Sequence, residues 1–143
     1  MDARAQQQRR FLFHVFVLLL GAFLMGLPTA LASPDDRARW MTAHVANVLG
    51  GAIGMGVALA WGHVRLGERA ARTAMGMWLA GLYAGFTVNV LDGILDLPGP
   101  ASSPSIHPTG AQLAIMVPLL VTATVGLLGG AVMTVLGLRG KSG

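Results

Sequence analysis

An integral-membrane, all-α bundle of four helices is the fold class that three features of this sequence predict. Apolar residues make up 54% of its 143 residues and charged residues only 11%, where a soluble domain is about a quarter charged. Four apolar stretches are each long enough to cross a hydrocarbon core, which takes roughly 20 helical residues. The cationic residues fall between those stretches. Strands are not expected, because a spanning strand must close into a barrel built from short alternating segments, and no such alternation is present.

The first span covers about residues 11–32 and follows Arg4, Arg9 and Arg10. Arg9-Arg10, the apolar run and Ala30-Leu31-Ala32 also imitate a secretory signal with an A-x-A cleavage site. The run is longer than a usual signal core, and cleavage would leave three spans and break the charge pattern, so an uncleaved span is expected. The second span, about 43–64, follows a loop with Asp35, Asp36, Arg37 and Arg39. The third, about 73–95, follows Arg65, Arg69 and Arg72, and the fourth, about 112–138, precedes Arg139 and Lys141. Between the last two lies LPGPASSPSIHPTG, free of Lys and Arg and rich in Pro and Ser, as suits an irregular outer loop. Loops with excess Lys and Arg face the cytoplasm. Both termini of this single domain, 1–143, are therefore expected to be cytoplasmic, in a bacterial-type inner membrane.

Several chemistries are excluded early. No cysteine is present, which removes disulfides, thiolate metal sites and cysteine nucleophiles. The net charge of +4 does not indicate nucleic acid, since the basic residues do not line a face interleaved with aromatics. No Walker loop, dinucleotide fingerprint or G-x-S-x-G occurs, and Gly-rich runs such as GGAIGMG lie within a span. The few serines sit near loops and the tail without a base beside them.

Small residues recur at helical spacing: Ala46, Gly50, Gly54 and Ala58; Gly81 and Gly85; Thr122, Gly126 and Gly130. Lipid supplies no hydrophobic drive between helices, so close backbone packing over small residues must hold them together. These stripes predict a bundle or an oligomer and say little about chemistry.

The polar residues within spans carry more. His44, Asn47 and Gly51 succeed one another at about one turn each and share a face. Asn89, Asp92 and Asp96 form a second stripe on the antiparallel third span, ending at the same outer side. The two stripes are expected to converge. An Asp at the bilayer centre costs on the order of 2.5–3.5 kcal/mol, less near the interface, and usually faces a site or a partner. For Asp92 two readings stand side by side, a structural partner such as an outer-side arginine and a functional role. His14, His63 and His107 read as interfacial, and no two histidines have the i, i+4 spacing of a helical metal site. A lone imidazole with glycines nearby suits an axial haem ligand better than zinc, which needs three or four protein donors. The alternative for His44 is a satisfied structural histidine.

The W-x-x-x-H of Trp40–His44 opening the second span, the Ala71-Arg72 pair opening the third, and four spans with cytoplasmic termini resemble a family of small membrane enzymes, the styrene oxide isomerases and hydroxylaminobenzene mutases. The resemblance implies a trimer with haem b between subunits and iron held by the histidine matching His44. It implies ferric iron as a Lewis acid for a small lipophilic aromatic substrate, opening an epoxide with a 1,2-hydride shift to an aldehyde, or rearranging a hydroxylamine to an aminophenol. Apart from the resemblance, the two polar stripes make Asn47, Asn89 and Asp92 candidates to shape the pocket or orient substrate, and Gly51, on the face of His44, a candidate cofactor contact. Two positions depart from the family pattern. The family's A-H-x-x-x-x-x-N-G has Gly50 here where the asparagine falls, with Asn47 a turn earlier, and a family tyrosine falls near Asn89 while Tyr83 lies higher in the helix.

Two rival functions fit the same topology. One is a non-enzymatic subunit whose small-residue stripes recruit a partner bundle. The other is an electron-transfer haem protein, which usually needs two strong axial ligands, and no second candidate is evident opposite His44.

Overall fold

The computed structural model describes residues 3–95 and 109–139. Helix α1 (Ala3–Leu24) breaks at Met25 and resumes as the short α2 (Gly26–Leu31). Next come α3 (Pro34–Ala60), a 3₁₀ turn at Trp61–His63, α4 (Glu68–Leu95) and α5 (Gly110–Arg139). Counting α1 and α2 together, four helical units are long and apolar enough to cross a membrane. Asp96, His107, Lys141 and nearly all of the third loop lie outside the described residues.

The helices begin well before the apolar stretches do. Proline at the first position of α3 is tolerated because that N–H has no intrahelical partner, and Ser33 Oγ accepts from Asp36 N at 3.2 Å while donating to the Asp36 carboxylate at 2.8 Å. Thr109 and Gln112 close a reciprocal capping box on α5, with Thr109 N donating to Gln112 Oε1 at 2.8 Å and Gln112 N to Thr109 Oγ1 at 3.3 Å. Both caps sit at the N-terminal ends of their helices, before the expected apolar stretches.

The break in the first span was not foreseen, since the apolar run continues through it. Pro28 is its cause. With no N–H it cannot bond the Leu24 carbonyl, so the regular ladder lapses there. The chain recovers through Thr29, whose N and Oγ1 both reach the Met25 carbonyl, at 3.3 and 2.9 Å.

Packing proceeds in neighbouring pairs. Helix α1 lies on α3, α3 on α4, and α4 on α5, which leaves α5 with a broad apolar face of Leu120, Val121, Val125, Leu128 and Val132 exposed. The α4–α5 crossing depends on Gly81 and Gly126. A Cβ on Gly126 would lie 2.6 Å from the Met77 carbonyl and 2.8 Å from the Gly81 Cα, so backbone meets backbone there. Of the expected small-residue stripes, Gly54, Gly81, Gly126 and Gly130 serve close packing within the bundle, while Ala46 and Thr122 are exposed.

The main core is at the end holding the N-terminus of α1. Phe11, Val15, Ala58, Trp61, Ala71 and Ala74 are wholly buried, and the Phe11 and Trp61 rings meet edge to face with centroids 5.2 Å apart. Polar groups tie this end together: Gln8 Nε2 donates to the Ala58 and Leu59 carbonyls, Arg4 to the Leu66 carbonyl, and Arg65 N to the Gly137 carbonyl at 2.8 Å. Farther along, Trp78 Nε1 donates to Thr134 Oγ1 at 3.0 Å inside the α4–α5 pair.

Candidate functional site

The opposite end carries the polar candidates, and its geometry starts from the break at Met25. Carbonyls in the last turn of a helix lack intrahelical partners. One of them, from Ala22, is taken by the Nδ1 of His44 at 2.8 Å. A carbonyl can only accept, so Nδ1 carries the proton and Nε2 is left with its lone pair. This is the arrangement in which metal-binding histidines are held, one ring nitrogen anchored to fix the tautomer and the other free to ligate. The half-buried imidazole borders an open cleft of about 460 Å³ lined by Gly26, Thr29, Ala30, Arg37 and Met41. Gly26 keeps the ring uncrowded, since even a Cβ there would stay 3.6 Å from His44 Cε1.

Asn47 lies one turn deeper and about 60° around the helix. That rotation places it between α1 and α4, and it is 5% exposed. Its Oδ1 accepts from Asn89 Nδ2 at 2.7 Å, and its own Nδ2 reaches Met25 Sδ at 2.9 Å. The expected convergence of the two stripes is therefore present at Asn47 and Asn89. The pair borders a second cavity of about 150 Å³ floored by the small residues Ala46, Gly50, Gly51, Gly81 and Gly85 and walled by Leu18, Leu82, Phe86 and Leu127. The stripes that close the bundle elsewhere leave it open here.

Gly51 lines this inner cavity, with its Cα against Leu19, and does not line the His44 cleft. Gly50, where the family pattern has asparagine, also borders the inner cavity. Asp92 borders neither. Its charge interacts with Arg39, which is itself paired with Asp36 at 2.5 Å, while Asp92 Oδ1 is buried without a hydrogen-bond partner. The structural-partner reading of Asp92 gains an arginine from the first turns of α3. Beside it, the Trp40 ring lies flat over Gly93, where a Cβ would come within 2.7 Å of the indole.

One pair was not foreseen. His14 Nδ1 lies 3.0 Å from Tyr83 Oη across α1 and α4, the rings edge to face. The two residues are 69 positions apart on different helices, and nothing in the spacing of either signals that they meet. Among the described residues no three His, Cys, Asp or Glu side chains gather around a common point, which leaves His44 as a single donor.

Among the described residues, four helices long and apolar enough to cross a membrane define the class, an integral membrane protein. The family follows from comparison. A family model described as styrene oxide isomerase matches residues 7–139, and the chain belongs to that family as an isomerase-like membrane protein. Comparisons with curated proteins and with solved structures gave no match.

Proposed function

We propose that this protein is a haem-b-dependent membrane isomerase that rearranges a small lipophilic aromatic epoxide or hydroxylamine. The observation that carries the proposal is the His44–Ala22 hydrogen bond, which leaves Nε2 unprotonated on a residue that borders an open cleft. Family membership supports the reaction class. When bound, ferric haem supplies a Lewis acid that polarises the substrate oxygen without a protein acid.

The chain's own residues do the rest. His44 holds the group and, through Ala22, keeps its orientation. Asn47 and Asn89 form a preorganised amide pair on the inner cavity, which His44 does not line, and in this proposal they shape the largely apolar substrate pocket one turn deeper than the group that His44 holds. Asn47 replaces at i+3 what the family pattern places at Gly50, and Asn89 supplies an amide where that pattern has a phenol. Leu18, Leu82, Phe86 and Leu127 wall the inner cavity and would keep water from an aromatic substrate held there. Substrate enters from lipid, into which aromatic epoxides partition. In this proposal the active form is a homo-oligomer, a trimer, in the cytoplasmic membrane with both termini inside, following the arginine distribution.

Purification in detergent from haem-replete cells tests the cofactor. A Soret band is expected in wild type and none in His44→Ala; a wild-type preparation without the band would overturn the cofactor assignment. Incubation of membranes with styrene oxide and with hydroxylaminobenzene should yield aldehyde from the first or aminophenol from the second, and the product formed identifies the branch.

A further inference from the structure

The His44 cleft contains a second chemical feature that the activity alone does not require. Arg37 lies on its rim, on the same helix as His44 and seven residues before it. Seven residues are two turns, so both side chains stand on one face about 10.5 Å apart along the axis. The other outer-loop arginine is already engaged, since Arg39 pairs with Asp36 and acts on Asp92. Arg37 makes a single long contact, 3.4 Å to the Ala32 carbonyl, and is exposed. Its guanidinium is a planar fork suited to bidentate capture of a carboxylate.

We infer that Arg37 binds a propionate carboxylate of the group that His44 holds, and so fixes which way that group faces in the cleft. The inference rests on the haem proposal above. Two turns of helix approximate the distance at which a porphyrin's carboxylates stand from its centre. Depth agrees as well. Ionised carboxylates must stay near water, and Arg37 sits in the first turn of α3, on the aqueous side of His44. Thr29 and Ala30 of α2 form the opposite wall, so the segment displaced by Pro28 shapes the carboxylate end of the cleft as well as the ligand end.

The test separates carboxylate recognition from general stability. Haem-free wild type, Arg37→Gln and Arg37→Lys are titrated in detergent with ferric haem b and with its dimethyl ester, whose carboxylates are uncharged, reading the Soret band. Wild type should prefer the free acid by on the order of tenfold, the scale of one charge-assisted hydrogen bond. Arg37→Gln should lose that preference while binding the ester like wild type, and Arg37→Lys should keep part of it. An unchanged preference in Arg37→Gln overturns the assignment. Equal weakening toward both forms also overturns it, making Arg37 a structural or lipid-headgroup contact. A wild type that binds neither form removes the haem proposal and this inference together, an outcome distinct from the other two because no band develops at all.

Discussion

The two ends of the bundle are built on opposite terms. At the end with Phe11, Trp61 and Ala74, large rings and small residues fill the space between α1, α3 and α4, and the Gln8 amide and Arg4 bond backbone carbonyls. At the other end the first span is broken, two cavities open beside α3, and Asp92 Oδ1 is buried without a partner. The contrast shows where the chain gains its stability and where it gives stability up. A well-packed end tolerates a loosely packed one, and unsatisfied or strained groups collect where a ligand or partner is to be met.

That division can be broken by substitution. Trp61→Ala removes a fully buried indole and should cost about 3–5 kcal/mol, seen as a large fall in the detergent unfolding midpoint. Haem binding per folded molecule should be unchanged, and loss of the band in folded protein would show that the two ends are coupled. Gly126→Val forces a side chain onto the Met77 and Gly81 backbone and should cost about 3 kcal/mol, at the upper end of overpacking. The same measurement on Gly76→Val, where a Cβ meets nothing, should show little change.

Smaller effects are expected at the open end. Asn47→Ala strands the Asn89 amide and should destabilise by about 1–2 kcal/mol. A double-mutant cycle with Asn89→Ala should return a coupling of roughly 0.5–1.5 kcal/mol; a coupling of zero would mean that the pair is not formed in the membrane. His44→Ala should change stability least, by about 1 kcal/mol or less, since it removes one neutral hydrogen bond from a half-buried side chain. It should nonetheless abolish the Soret band. The smallest energetic change would thus give the largest spectroscopic one, the sharpest form of the contrast between the ends.

Much of this layout could be read from sequence, because lipid allows few alternatives. Apolar run length located four spans, and antiparallel order brought the stripe of Asn47 to that of Asn89. The break at Met25 was missed because hydropathy does not register an absent N–H, though Pro28 was a visible signal. Helical spacing correctly put His44, Asn47 and Gly51 on one broad face. It could not show that a 60° rotation and two turns of depth would assign them to different cavities, since that depends on where α1 bends and how close α4 lies. The His14–Tyr83 contact joins residues whose only link is tertiary.

The Asn47–Asn89 hydrogen bond carries a consequence for how this sequence can vary over time. Asn47 is buried and Asn89 half-buried, and each amide answers the other, so a change at either position alone removes a polar partner from its counterpart in an apolar setting. Replacements at these two sites on different helices are therefore coupled. A chain that changes both positions together loses less stability than the two single changes summed.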